Sequence, residues 1–221
     1  MILYQDEALI IVEKPAGMPS LPPKGASSIL LAPFGPFCSV ETELQKKFPT
    51  ARLVHRLDNE TSGLMVAALT EEAWKKLRGI WKTPQVVKKY TALVVGRTAA
   101  FGEITNPIAH HHKKKKKMEV GCKEGQAAQT NFKTLEHLGK CSLLEVTITT
   151  GVRHQIRAHL ASIGHPIVGD KVYLRRKYQT QDLPKLDRHF LHLSYLKFPH
   201  PLTGKICEWK SDLPKELTAI F

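Results

Sequence analysis

A hairpin signal in the second half of the chain constrains the fold more than any other feature. Two strand-length segments, 129–138 and 141–149, meet at Gly139-Lys140, and in the second Leu144, Val146 and Ile148 alternate with Glu145, Thr147 and Thr149. A period of two puts one face on a core and the other toward polar surroundings, as in an antiparallel sheet packed on one side. Further strand-like runs lie at 8–12, 64–69 and 86–95, the last stopped by Gly96. Three helices are predicted between them. Ser39 is placed to cap one that carries acids early and lysines late, and Thr70 to cap another with Trp74, Leu77 and Trp81 on one face. The third runs from Val152 to Ile163 with Val152, Ile156, Leu160 and Ile163 as its apolar stripe, closed by Gly164 and Pro166. Hairpin signals outnumber strand-helix-strand signals, so the order predicts an α+β domain on a largely antiparallel sheet. No repeat or composition break divides the 221 residues, which predicts one domain over 1–221. Residues 18–37, rich in proline, read as an irregular loop, and 101–125 as a mobile basic loop insertion.

Charge narrows the choice of partner. Thirty-three Lys and Arg against twenty Asp and Glu leave +13, and Lys113, Lys114, Lys115, Lys116 and Lys117 form an unbroken run. A polyanion is the natural partner, because phosphates relieve the self-repulsion of such a run; a plain solvated loop face is the alternative. No apolar run approaches the roughly 20 residues of a membrane span. Asp6 and Glu7 stand ahead of the first apolar run, where a secretory leader carries positive charge, so the cytoplasm is expected. Cys38, Cys122, Cys141 and Cys207 are too scattered for a zinc ribbon or redox pair and read as free thiols. Eleven histidines raise the question of a metal. His154 and His159 are five apart and so on different faces of a helix, while His110, His111 and His112 run into the lysines, which repel a cation. No metal is expected.

The segment His55 to Leu64, HRLDNETSGL, sets a lone carboxylate, Asp58, between a basic pair and a glycine-ended turn flanked by strand-like runs. Two readings stand. Asp58 caps its own turn, with Gly63 supplying a positive φ, or it is a carboxylate held rigid for chemistry. Thr61 and Ser62 are expected to tie the loop down by side-chain to backbone bonds. Arg153 and Arg157, four apart, are expected to project together from the third helix.

Three segments, HRLDNETSGL at 55–64, KKYTALVVG at 88–96 and HQIRAHLASIGHPIVGDKVY at 154–173, resemble the signature segments of the RluA-type RNA pseudouridine synthases. Weaker echoes, DEALIIVEKPAGMPS and FLHLSYLKFPHPLTG, extend the likeness over almost the whole chain in family order. The resemblance implies a pseudouridine synthase fold: a mixed, mostly antiparallel central sheet with flanking helices and a basic RNA-binding cleft. It implies isomerisation of selected uridines in ribosomal or transfer RNA, with no cofactor or metal. Asp58 matches the catalytic aspartate, Tyr90 the active-site aromatic, and Arg157 the arginine paired with the aspartate, expected within hydrogen-bond reach. Arg56, His55, Arg153 and the lysine run are the expected RNA contacts. Two departures are visible: Arg153 falls one residue later than the family's usual arginine, and Gln126 stands where a lysine is common. The chain begins with the catalytic signature, so no accessory N-terminal RNA-binding domain is expected, and a monomer acting on a compact stem-loop is the default. Alternatives are a non-catalytic RNA-binding protein or chaperone, and a glycosidic-bond hydrolase, for which Glu60, two residues from Asp58, is a poor second carboxylate.

Overall fold

A computed structural model describes residues 2–22, 38–175, 178 and 183–221. Most of the proline-rich loop expected at 18–37 lies outside the described residues. Among them, ten strands form one sheet in the order β1 (Ile2–Gln5), β2 (Leu9–Lys14), β4 (Ser62–Ala68), β11 (Leu191–Pro199), β5 (Val87–Val95), β10 (Cys141–Ile148), β9 (Thr130–Leu138) and β6 (Phe101–Ile104). Strand β3 (Arg52–Leu53) adds beside β4, and β12 (Ile206–Lys210) beside β11. Every pairing is antiparallel except β4 with β11. The expected α+β architecture on a mostly antiparallel sheet is thus what the chain adopts.

Local chemistry explains the elements that fix the site. The β9–β10 hairpin turns at Gly139, φ 58°, and buries Leu144, Val146 and Ile148 as the alternation requires. Each such side chain contributes roughly 1.5–3 kcal/mol by leaving water. Strand β4 is buried along its whole length, which explains its continuous apolar run. The parallel junction with β11 depends on Gly63. Its φ is 120°, and a Cβ there meets the Leu193 carbonyl oxygen and lies 2.6 Å from the Leu193 nitrogen. Gly63 therefore serves the close approach of two parallel strands rather than the Asp58 turn.

Helix α1 (Val40–Lys47) is capped by Ser39, whose hydroxyl accepts from the Thr42 N–H at 3.2 Å while Thr42 Oγ1 accepts from the Ser39 N–H at 2.9 Å. Helix α2 (Glu71–Ile80) is capped by Thr70 and buries Ala73 and Leu77. Helix α3 (Gln155–Ser162) starts three residues later than the periodicity predicts. His154 adopts a left-handed φ of 55°, and Gln155 Oε1 accepts from the Val152 N–H at 3.0 Å, so the chain turns before the helix begins. Arg153 consequently precedes the helix that carries Arg157. Ile163 is 42% exposed and drops out of the apolar stripe. A short helix, α4 (Lys215–Thr218), follows β12.

The insertion expected as a loop at 101–125 carries three strands. Strand β6 extends the sheet, and β7 (Ile108–His110) pairs with β8 (Met118–Val120) in a separate hairpin whose tip holds the lysine run. Ile108 and Met118 pack with Ala128, Ala158 of α3 and Tyr173 in a second apolar cluster, and the Tyr173 hydroxyl accepts from the Met118 N–H at 2.8 Å. Among the described residues no helix is long and apolar enough to cross a membrane.

Candidate active site

The turn between β3 and β4 is held from beneath by buried cations. Thr61 N–H closes it on the Asp58 carbonyl at 3.0 Å. Lys14, fully buried, donates through Nζ to the carbonyls of Met18, Asn59 and Pro15 at 2.7, 2.8 and 2.9 Å. Burial pushes Lys14 down to about 8, so it remains charged at neutral pH. Arg188 donates through Nη1 to the Glu60 carbonyl at 3.0 Å and through Nη2 to Ser62 Oγ at 3.0 Å. Thr61 and Ser62 do not tie down the backbone as expected; they meet His189 Nε2 at 2.7 Å and His192 Nδ1 at 2.9 Å. With its carbonyls so occupied, the turn is rigid and Asp58 projects from it.

The Asp58 carboxylate does not cap its own turn. Arg157 Nη1 donates to Asp58 Oδ2 at 2.7 Å, joining two residues 99 apart in sequence. The other face of the same guanidinium grips Asp170 with two bonds, Nε to Oδ2 at 2.7 Å and Nη2 to Oδ1 at 3.0 Å. Asp170 is 0% exposed and its Oδ1 also accepts from the Val172 and Tyr173 N–H groups. Asp170 therefore fixes the plane of Arg157, and the fixed plane aims one N–H at Asp58.

Burial opposes ionisation of Asp58, but His154 and Arg157 outweigh it and hold the carboxyl below the usual carboxylate range. His154 lies 3.8 Å from Asp58 and is itself pushed down to about 4, chiefly by burial. It is therefore neutral near pH 7, and Arg157 is the cation that keeps Asp58 charged there. Burial disfavours the Arg157 cation too, yet Asp170 and then Asp58 more than compensate and keep it protonated.

Asp58 borders two cavities. One, of about 170 Å³, has apolar walls from Leu57, Tyr90, Ile148, Ile156 and Leu191. Tyr90 is 7% exposed, with its ring held in the core beneath the cavity. Burial and then the Asp58 charge raise its pKa, so its hydroxyl stays neutral. The second cavity, of about 470 Å³, is lined by Arg56, Lys116, Arg153, Arg157 and Lys171 together with Asp58 and Glu60. Arg56 and Arg153 are exposed and border both.

Residues 8–162 match the sequence profile of the family described as RNA pseudouridylate synthase. The chain belongs to this family. A ribosomal large subunit pseudouridine synthase D from Nitrosomonas europaea is 37% identical over 225 residues, and that of Escherichia coli K12 is 33% identical over 233. Both alignments cover 100% of this chain, which spans 64% of the first protein and 69% of the second. The solved structure titled human RNA pseudouridylate synthase domain containing 1 superposes with a TM-score of 0.77 at 26% identity, covering 99% of this chain and 86% of that one. The RluA-type resemblance read from the three motifs is borne out.

In this member of the family the fold brings Asp58, Tyr90 and Arg157 together, with Arg56 and Arg153 at the rim. It does not bring His55 there. The His55 ring stacks on Trp81 at 4.6 Å, accepts from the Val66 N–H at 3.2 Å, and is pushed down to about 3 by burial, so the contacts of this expected RNA-binding residue are within the fold. Of the lysine run, Lys116 lines the second cavity, Lys117 Nζ sits 5.5 Å from the Tyr173 ring centre, and Lys113, Lys114 and Lys115 are exposed. Gln126 is exposed and pairs through its backbone with Ile108. His159 is buried and hydrogen-bonded to Thr130 Oγ1 at 2.9 Å and to the Asn106 carbonyl at 2.8 Å. Sequence reasoning misses Asp170, Tyr173, Lys14, Arg188 and His189. Two signals are available: a lysine ending the apolar run 8–12, and an acid directly after the apolar residues Ile167 and Val168 and Gly169.

Proposed function

We infer that the protein isomerises selected uridines in structured RNA to pseudouridine, with Asp58 as the reacting carboxylate. The carrying observation is the chain of groups Asp170, Arg157, Asp58 at the boundary of an apolar, tyrosine-walled cavity and a cationic one. The reaction breaks the bond from ribose C1′ to uracil N1, turns the base, and joins C1′ to C5. N1 gains a proton and C5 loses one, so the step is redox-neutral and needs no cofactor. Asp58 acts either as nucleophile at C1′ or as base at C2′, and both roles need it ionised. Arg157 supplies that condition and Asp170 supplies the orientation.

A uridine within a helix hides C1′ and N1, so the target flips out at a cost of a few kcal/mol, least in a loop. The apolar cavity then takes the base against Tyr90. Arg56, Arg153, Lys116 and Lys171 meet the phosphates on the other side, and together form the basic cleft. A stem-loop met by a single chain in the cytoplasm fits this division, and ribosomal RNA fits the names of the relatives.

The test is to delete the gene, map pseudouridine in ribosomal and transfer RNA, and rescue with wild type or Asp58→Asn. The reading requires that at least one pseudouridine disappears and that wild type alone restores it. Rescue by Asp58→Asn would refute it.

A further inference from the structure

We propose that the tip of the β7–β8 hairpin is a site for a divalent transition-metal ion of the zinc type, held by His111, His112 and Glu119. The histidines alone argue against this, since five lysines follow them. Strand pairing changes the balance. Ala109 faces Glu119 and His110 faces Met118, and the His111 N–H closes the tip on the Lys117 carbonyl at 3.1 Å. The chain thus doubles back and sets a carboxylate against the imidazoles. One ligand atom from each of the three residues lies within 4.8 Å of the others. His112 Nδ1 stands 3.7 Å from a Glu119 oxygen, and the His111 and His112 rings stack at 5.0 Å, tilted by only 12°.

The spacing suits a small ion. Bonds of about 2.0–2.1 Å in a tetrahedron place ligand atoms roughly 3.3 Å apart, so the stacked imidazoles turn out of their parallel arrangement to close the site, which the exposure of His112 permits, and a fourth position is left to water. Two imidazoles and one carboxylate are a donor set for zinc or its near neighbours rather than for magnesium or calcium, which take oxygen. Repulsion by the exposed ammonium groups is weakened by water and salt, whereas the metal-nitrogen bond acts at contact. Glu119 also offsets part of the ion's charge. The rearrangement costs little locally. His111 Nδ1 accepts from the exposed Lys113 N–H at 3.2 Å, and water replaces that bond if the ring turns to the metal.

Position gives the site a consequence. Lys116 lies between His112 and Glu119 in sequence and lines the cavity beside Asp58. An ion at the tip staples both ends of the lysine run and fixes the reach of Lys116.

The test is calorimetric titration of the full chain, purified without a histidine tag, with zinc chloride, and visible absorption with cobalt(II) as the spectroscopic probe. The expected result is one ion per chain, with His112→Ala and Glu119→Gln each weakening binding at least tenfold while Glu72→Gln, on α2, leaves it unchanged. The cobalt complex shows a tetrahedral visible band that His112→Ala removes. No binding by wild type overturns the proposal, as does equal binding by wild type and either single variant. Circular dichroism on each variant distinguishes a lost ligand from a lost fold.

Discussion

At the scale of single residues, the site turns on one guanidinium with two carboxylates. Arg157 is 5% exposed and Asp170 0%, so removing Arg157 leaves Asp170 an uncompensated buried charge, and removing Asp170 leaves the buried guanidinium with Asp58 as its single carboxylate partner. Asp170→Asn keeps the shape but loses the charge. It is expected to destabilise the protein by about 3–5 kcal/mol in urea denaturation and to lower activity by freeing the plane of Arg157. Unchanged stability with full activity contradicts the role given to Asp170. The pH dependence follows from the signs. Asp58 and Asp170 are held below their unfolded values, so their stabilisation is present above the ordinary carboxylate range and is lost as pH falls through the lowered ones. His189, pushed down to about 3 mainly by burial, works in the same direction. The unfolded chain takes up a proton near the ordinary histidine value of about 6.5 that the folded chain refuses, so stability falls with pH below that value. His189→Gln, which keeps a partner for Thr61, is expected to give a shallower loss of stability between about pH 6.5 and 3. A slope equal to that of wild type places the acid sensitivity elsewhere.

At the scale of elements, the parallel pairing of β4 with β11 positions everything the turn carries. Gly63→Ala puts a methyl group against the Leu193 backbone at a φ of 120°. Overpacking and backbone strain together predict a loss of about 3 kcal/mol or more, read as a lower urea midpoint, with activity lost in the same samples because Asp58 moves with β4. The β7–β8 hairpin carries a separable function. Replacing Lys113 to Lys117 with serine is expected to weaken RNA binding and to flatten its dependence on salt, by a slope of about 0.7–0.9 for each phosphate no longer neutralised. An unchanged slope returns the run to a solvated surface. These elements also mark what a sequence makes legible. The β9–β10 hairpin is readable because a period of two and Gly139 act locally. The start of α3 is not, because Val152 fits the helical period while its chain is turned by His154, whose left-handed backbone no pattern announces. The hairpin at 108–120 reads as loop because lysines separate Ile108 from Met118, and the partner that orders them, Tyr173, lies more than fifty residues on.

At the scale of the whole molecule, the sheet is the device that joins distant segments. Asp58 stands just before β4, Tyr90 on β5 and Arg157 on α3 after β10, so the site assembles only when strands far apart in sequence become neighbours. That is why Asp58, Tyr90 and Arg157 are recognisable through the three motifs, whereas the supporting roles of Asp170 and Tyr173, which stand inside the third motif, are not. A buried lysine or a lone aspartate after a glycine has no periodicity, and its meaning comes from the carbonyl or guanidinium that tertiary structure brings to it. Part of the net charge of +13 is placed beside the site, since Arg56, Lys116, Arg153 and Lys171 line one cavity with Asp58, a carboxylate that Arg157 keeps ionised. Joining C1′ to C5 expels the C5 hydrogen, so tritium release from RNA carrying 5-tritiated uridine tests the central claim most directly. The account predicts steady release by the wild-type chain from its target RNA, and a rate reduced at least about 10³-fold by Asp58→Asn with RNA binding retained. Release by Asp58→Asn at the wild-type rate would contradict it.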